Sequence, residues 1–156
     1  MKHFHLREIW RLVDLALPSI KNHVSELEKE GLLKKEKSGL YITYVSNRSE
    51  KFKLYKKLDV IIRIYESGLL ETLEEKFLPK AIVLFGSASR GEDTERSDID
   101  LFILANEKPV NLIKFEEKLK RKISIHAEKS IKDVPKELLN NILNGSILYG
   151  YLKVFS

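Results

Sequence analysis

The chain has 156 residues, of which 43% are hydrophobic and 33% charged, the balance of a globular protein with one ordinary domain or two small ones. No stretch approaches the roughly 18 apolar residues that span a bilayer, and no signal-peptide core follows residues 1–5, so we expect a cytoplasmic protein without membrane contact. The absence of cysteine excludes disulfides, thiolate nucleophiles and the usual zinc sites, so any metal is expected to be hard, Mg²⁺ or Mn²⁺.

The net charge of +5 is unevenly distributed along the chain. Residues 1–53 hold 11 Lys and Arg against 7 Asp and Glu, a balance of +4, whereas residues 54–156 hold 17 against 16, a balance of +1. The basic N-terminal part permits contact with nucleic acid, although such an excess is also typical of a solvated surface.

Two helices are predicted at the start of the chain. Apolar residues recur with helical spacing over residues 6–13, and Trp10 lies on the apolar side of this first helix, where it is expected to be buried. The second helix is predicted from Pro18, which suits a first helical turn, to about Glu30, before a stop at Gly31. Its inward residues are expected to be Ile20, Val24 and Leu27.

A β-hairpin is predicted next, with strands over residues 32–37 and 40–45 around a Ser38-Gly39 turn. Helix, helix and hairpin in this order, together with the segment SIKNHVSELEKEGLLKKEKSGLYITYV, resemble the winged helix-turn-helix family. The resemblance implies a recognition helix and a basic wing that bind DNA. The residues it assigns to DNA contact are Lys21, Asn22, Ser25, Lys29, Lys34, Lys35 and Lys37.

Two features depart from a DNA-binding winged helix. Glu26, Glu28 and Glu30 would repel phosphate, so a winged-helix domain used for protein contact is the alternative. Only five residues precede Leu6 in this sequence, so we expect the usual first helix of such a module to be truncated. Another element, or a partner chain in a homodimer, is therefore expected to cover the exposed core.

A long amphipathic helix is predicted from Glu50 to Ser67. It is the candidate to cover that core and to connect it with the C-terminal part of the chain, while a plain core or dimer helix is the simpler interpretation. Its apolar residues are Phe52, Leu54, Tyr55, Leu58, Ile61, Ile62 and Tyr65.

The rest of the chain predicts an α/β domain. The domain boundaries are expected at 1–47 for the winged helix-turn-helix domain, 48–78 for linker helices and 79–156 for the α/β domain. The predicted helices cover residues 70–77, 112–121 and 135–144; the predicted strands cover 81–85, 99–104 and 122–127; and residues 146–155 form a terminal strand or turn.

Two aspartates in the second strand of this domain are the first indication of chemistry. The segment AIVLFGSASRGEDTERSDIDLFIL contains two apolar runs typical of buried strands, and Asp98 and Asp100 belong to the second. Buried carboxylates need compensation. Residues two apart on a strand project from one face about 7 Å apart at Cα, so the two carboxylates can converge on a divalent cation.

The turn after the first apolar run predicts a phosphate site. Gly86 permits a sharp turn and a close approach of phosphate to the backbone, and Ser87 offers a hydroxyl group beside outward N–H groups. Arg90 or Arg96 can pair with phosphate oxygens. A phosphate site beside a cation site suggests that the ligand is a nucleoside triphosphate.

Strand, Gly-Ser, ten intervening residues (88–97), Asp-x-Asp and strand form an order that resembles the minimal nucleotidyltransferases of the DNA polymerase β-like superfamily. The resemblance extends from about Ala81 to Gly150. It implies an α+β nucleotidyltransferase fold, a mixed sheet with flanking helices, that transfers a nucleoside monophosphate to a hydroxyl group with loss of pyrophosphate. It also implies that Gly86 and Ser87 bind the triphosphate, and that Asp98 and Asp100 are the catalytic residues that bind Mg²⁺.

The family also has a third carboxylate on a later strand, and here that strand contains no aspartate. Its alternating positions offer Ser124, His126 and Glu128. Glu128 substitutes for the acid, or His126 acts as a base, or the cation on the acceptor side is lost; a half-buried structural role for His126 is the simpler interpretation.

The sequence supports three hypotheses. The chain is a metal-dependent nucleotidyltransferase, with AMP as the candidate group transferred, whose acceptor is a protein or a small molecule. Alternatively it is a DNA-binding regulator whose nucleotidyltransferase domain senses nucleotides or is inactive, or it is a partner-binding protein that modifies a cognate protein. The Gly-Ser and Asp-x-Asp motifs favour the first hypothesis, and the missing third acid favours the second.

Overall fold

The computed structural model describes residues 3–154 and divides the chain into an N-terminal unit that ends at Lys53 and a C-terminal unit that begins at Leu54. In the N-terminal unit, Pro18 stands in the first turn of a helix, where its missing N–H is harmless, and the chain turns after this helix at Gly31 with φ +73°. The elements of this unit are the helices α1 (Leu6–Leu12) and α2 (Leu17–Lys29), and the antiparallel strands β1 (Leu33–Ser38) and β2 (Tyr41–Ser46).

The small core of the N-terminal unit differs from the one expected. Ile20 and Val24, one helical turn apart on α2, are buried as predicted. Leu27 is 38% exposed and Trp10 is 50% exposed, so both predictions of burial were wrong. On α1 the residue that packs against the core is Ile9, and Trp10 is rotated by about 100° from it in a helix of 3.6 residues per turn.

A long helix, α3 (Glu50–Ser67), begins in the N-terminal unit and continues into the other. Its buried residues are Val60, Ile64 and Ser67, which follow one face of the helix into the core of the C-terminal unit. Most of the apolar positions expected to face inward are instead exposed. These are Leu54, Tyr55, Leu58, Ile62 and Tyr65.

The C-terminal unit contains a four-stranded mixed sheet with the order β5-β4-β3-β6. β3 is antiparallel to both β4 and β6, whereas β4 and β5 are parallel. The strands are β3 (Ala81–Phe85), β4 (Ile99–Leu104), β5 (Ile123–Glu128) and β6 (Ser146–Gly150). The helices are α4 (Leu69–Phe77), α5 (Gly86–Ser89), α6 (Ile113–Leu119) and α7 (Lys136–Leu143).

The two faces of this sheet are covered by different helices, because alternate strand residues point to opposite sides. Leu101 and its neighbours on one face pack with α3, α4 and α6, and Phe102 on the other face packs with α7 and the 3₁₀ turn Ile131–Asp133. This arrangement confirms the expected mixed sheet with flanking helices. The tail expected as a strand or turn forms β6 at the edge of the sheet, and Phe155 of that prediction lies outside the described residues.

Across residues 3–154, no helix combines the length and the apolar character that a membrane crossing needs.

Candidate functional site

The turn between β3 and α5 is built around Gly86. Its φ of +71° lies in the left-handed region that favours glycine. A Cβ atom at this position would overlap Oδ2 of Asp100 and lie 3.2 Å from its Cγ. The backbone of Gly86 therefore passes directly against the Asp100 carboxylate, and the absence of a side chain makes that contact possible.

The pairing of β3 with β4 places the Asp100 carboxylate beside this turn. β3 and β4 pair so that Phe85 lies opposite Asp100. Asp100 is partly buried, and its alternation with buried Ile99 and Leu101 places it on the sheet face that also carries Phe102.

Asp98 differs from the prediction that both carboxylates occupy a buried strand. It precedes the first residue of β4, and its side chain is exposed. The two aspartates therefore differ in solvation, because Asp100 lies within β4 and Asp98 lies just before it. Asp98 nevertheless lies close enough to Asp100 for its negative charge to raise the pKa of Asp100.

The electrostatics of the pair are unfavourable in isolation. Burial raises the pKa of Asp100, and the negative charge of Asp98 raises this pKa further, while His126 and Arg121 lower it. A divalent cation between the two carboxylates would neutralise this repulsion, so the donor chemistry fits a hard cation held by two aspartates.

The strand expected to offer the third carboxylate position is β5, which pairs with β4. In the parallel register of β4 and β5, Ser124 lies opposite Asp100, His126 opposite Phe102 and Glu128 opposite Leu104. The residues between these three pack into the core that contains Leu101. Ser124, His126 and Glu128 therefore lie on the opposite face of the sheet, which is also the face of Asp100.

His126 is exposed rather than half-buried, which corrects the simpler interpretation, and its ring stands edge-on to Phe85 with centroids 5.7 Å apart. Glu128 lies four residues beyond Ser124 along β5, away from Asp100. Among residues 3–154, no three His, Cys, Asp or Glu side chains form a cluster that could hold a metal ion.

Ser87 and Arg90 are the residues expected to bind phosphate, and the Arg90 side chain already has a hydrogen-bond partner. Ser87 is half-buried at the start of α5, and its backbone carbonyl accepts hydrogen bonds from Arg90 N (3.2 Å) and Glu92 N (3.0 Å). The Arg90 side chain is exposed and donates from Nε to Glu92 at 2.9 Å. Arg90 must therefore release or share Glu92 to bind a phosphate group.

Three charged residues that the sequence analysis did not predict form a cluster in and around the loop before β4. They are Asp93, Arg121 and Lys56. Asp93 is nearly fully buried in the loop before β4, and it forms ion pairs with Arg121 (2.8 Å) and Lys56 (3.1 Å). A charged residue in a polar loop or at a strand end is common, so no local pattern distinguishes these three from solvated residues.

The residues expected to contact DNA lie on exposed surface of the N-terminal unit. On α2 they follow one side of the helix, opposite buried Ile20 and Val24. Glu26, Glu28 and Glu30 are exposed on the same helix. The exposed residues expected to bind DNA are Lys21, Asn22, Ser25 and Lys29 on α2, and Lys34, Lys35 and Lys37 on β1.

Comparison with known proteins decides the family. A family model described as a nucleotidyltransferase domain matches residues 66–149, which is more than half of the chain. The chain belongs to the nucleotidyltransferase-domain family. The matched region includes β3, α5, β4 and β5, and thus the whole turn and strand system around Gly86 and Asp100.

Three proteins of Methanocaldococcus jannaschii, each provisionally named protein adenylyltransferase, are similar to this nucleotidyltransferase-domain protein. One is 39% identical over 81 residues, which cover 52% of this chain and 72% of the relative. A second is 48% identical over 44 residues, covering 28% and 45%. A third is 40% identical over 67 residues, covering 38% and 67%. No solved structure matches the chain significantly.

Replacement of Gly86 tests the contact with Asp100. We expect Gly86→Ala to destabilise the nucleotidyltransferase domain by more than the roughly 1–2 kcal/mol of a left-handed alanine, because the new Cβ also displaces the Asp100 carboxylate. Gly68→Ala is the matched control, since Gly68 has φ +78° with no atom within 4 Å of a Cβ. Denaturant unfolding measures both; equal losses would contradict the contact.

The raised pKa of Asp100 predicts a gain in stability when its charge is removed. A carboxyl that ionises less readily in the folded than in the unfolded state costs folding free energy above its ordinary pKa, and the cost fades as pH falls through the raised pKa. In metal-free buffer, Asp100→Asn should raise the melting temperature at about pH 7 by on the order of 2 °C. The gain should shrink towards about pH 4.

The control for this measurement is Glu95→Gln, which removes an exposed carboxylate from the neighbouring loop. Its melting temperature should stay near that of the wild type across the same pH range. An Asp100→Asn protein less stable than the wild type at neutral pH would show that the carboxylate is not a net electrostatic cost.

Proposed function

We propose that this protein transfers a nucleoside monophosphate, AMP in the first instance, from a nucleoside triphosphate to a hydroxyl group of a protein. The observation that carries this proposal is the packing of Gly86 against Asp100, near the charge of Asp98, inside the region matched by the nucleotidyltransferase family. The provisional name of the three relatives supports AMP as the group transferred and a protein as the acceptor. A small-molecule hydroxyl is the other acceptor class.

In this proposal each residue has a separate role. Gly86 and Ser87 bind the triphosphate through the backbone and the hydroxyl group, and Arg90 neutralises phosphate charge after exchanging its partner Glu92. Asp98 and Asp100 would hold Mg²⁺ or Mn²⁺, which supplies charge neutralisation for the triphosphate. In the transfer, the acceptor oxygen bonds to the α-phosphorus, the bond from that phosphorus to its bridging oxygen breaks, and pyrophosphate and a proton leave.

Label transfer tests the proposal. The protein is incubated with Mg²⁺ and ATP labelled at the α-phosphate, or at the γ-phosphate in a parallel reaction, with candidate acceptor proteins such as the product of a neighbouring gene. We expect α-label but not γ-label on the acceptor, because the monophosphate is transferred and the γ-phosphate leaves with pyrophosphate. Asp98→Ala combined with Asp100→Ala should lower the transfer by at least about 100-fold.

Glu95→Ala is the control for that double variant, since it removes an exposed carboxylate from the same loop and should leave transfer unchanged. Transfer that survives loss of both aspartates would place the chemistry elsewhere. Other labelled nucleoside triphosphates in the same assay determine the preferred base.

A second candidate function is a DNA-binding regulator whose nucleotidyltransferase domain senses nucleotides or is inactive. Two observations favour it. The predicted DNA-contact residues are all exposed on α2 and β1, and the position opposite Asp100 holds Ser124 instead of a carboxylate. The exposed glutamates of α2 count against it.

Salt dependence of DNA binding tests this second function. If the N-terminal unit binds DNA, combining Lys21→Ala, Lys29→Ala and Lys35→Ala should weaken binding at every sequence. The slope of log affinity against log salt should fall by roughly 0.9 for each lost phosphate contact. Lys108→Ala, a substitution in the other unit, is the control. Binding that is weak, or indifferent to the three substitutions, argues against the regulator.

A further inference from the structure

The loop between α5 and β4 contains a carboxylate that is buried without belonging to the Asp-x-Asp pair. Residues 90–98 contain neither helix nor strand, yet the Asp93 side chain is only 6% exposed. An ionised carboxylate in such surroundings requires compensating charge and hydrogen bonds. The two cations that compensate it come from elements outside the loop.

Arg121 supplies one of these cations from the residues just before β5. Its side chain is 11% exposed, and its guanidinium donates to three acceptors of the loop. Nη1 donates to Oδ2 of Asp93 at 2.8 Å, Nε to the carbonyl oxygen of Ser97 at 2.7 Å, and Nη2 to the carbonyl oxygen of Asp98 at 3.0 Å. One rigid planar group therefore joins the middle of the loop to its end.

Lys56, on α3, supplies the second cation. Its ammonium lies 3.1 Å from Oδ1 of Asp93 and also donates to the backbone carbonyl of the same residue. Asp93 is thus held from two sides, with one carboxylate oxygen towards each cation. The loop is fixed at Asp93, and Arg121 connects that position directly to Asp98 at the end of the loop.

Asp98 is the member of the aspartate pair that needs this support. Asp100 has its backbone within the ladder between β3 and β5, whereas Asp98 precedes β4 and its side chain is exposed. The bond from Arg121 to the Asp98 carbonyl holds the backbone from which that carboxylate projects. The next amide, Ile99 N, donates to the Lys122 carbonyl at 2.8 Å, so the chain is anchored on both sides of the peptide.

From this geometry we infer that Arg121, Asp93 and Lys56 form a positioning clamp that sets the Asp98 carboxylate beside Asp100 for cation and nucleotide binding. The inference rests on the proposed function, because it assigns the clamp to the same site. Arg121 is a positioning residue in this view, since it acts through the backbone of Asp98 and not on the substrate.

Arg121→Lys is the informative variant. Lysine keeps the positive charge and the ion pair with Asp93, but a single ammonium cannot reach three separated acceptors in the way that the guanidinium fork does. We expect the melting temperature to change little, while Mn²⁺ affinity, measured by electron paramagnetic resonance at a temperature well below melting, falls by about 10-fold. Amide hydrogen exchange over residues 92–98 should accelerate.

Two further variants separate positioning from folding. Asp93→Asn, which keeps the shape and removes the charge, should weaken Mn²⁺ binding in the same direction. Arg63→Lys is the matched control, because Arg63 is an exposed arginine of α3 that pairs with Asp59 and bonds the Leu119 carbonyl at 3.4 Å. It should match the wild type in Mn²⁺ affinity and in exchange over residues 92–98.

The possible failures are distinguishable. If Arg121→Lys leaves both Mn²⁺ affinity and the exchange of residues 92–98 at wild-type values, the clamp is overturned while the proposed function stands. If exchange accelerates but Mn²⁺ affinity is unchanged, the clamp orders the loop without positioning Asp98, and the inference is equally overturned. If the wild type itself binds no Mn²⁺, the proposed function fails, and the clamp fails with it as a device for cation binding.

Discussion

The backbone of Gly86 and the carboxylate of Asp100 occupy adjoining space at the end of β3, and the candidate site depends on this contact. The antiparallel register sets Phe85 opposite Asp100, so the chain leaves the sheet directly beside the carboxylate. A residue with a Cβ would overlap that side chain, and φ of +71° would strain it further. Glycine is therefore required here by the packing of the sheet, whether or not a ligand binds. Its position also determines where α5 begins and where Ser87 lies.

The same contact bears on the charge of Asp100. Burial and the nearby charge of Asp98 raise the pKa of Asp100, so its ionised form is disfavoured, and the backbone of Gly86 lies directly against its carboxylate. Proteins tolerate such local costs mainly where function requires them. A fold that needed only stability would be better served by an amide or an apolar side chain at this position.

Sequence patterns predicted the C-terminal sheet well because each strand is a short apolar run bounded by turn residues. They failed where burial depends on a partner surface. Trp10 and Leu27 follow helical spacing, but α1 is only seven residues long and the core it meets is narrow. On α3, the side that faces the core contains Val60 and Ile64. The sequence did not single out this side, because the helix has many other apolar residues.

For the candidate site, the sequence located the Gly-Ser and Asp-x-Asp motifs because their spacing is local. It could not locate Asp93 and Arg121, which are 28 residues apart and meet only when β5 is placed beside β4. It also did not indicate that the Asp98 side chain is exposed, although the predicted strand over residues 99–104 begins after it. Contacts that depend on the order of strands in a sheet leave no periodic trace in a single sequence.

Strand geometry narrows the alternatives for the third position. Ser124, one of the three positions offered, lies directly beside Asp100 and carries a hydroxyl group. Each residue of a strand advances about 3.3 Å, so Glu128 is displaced by roughly 13 Å along β5 and His126 by roughly 7 Å. Glu128 is therefore too distant to replace an acid at position 124, whereas the exposed His126 ring still lies on the aspartate face. In the proposed transfer, His126 and solvent are therefore the two candidates to accept the proton of the acceptor hydroxyl.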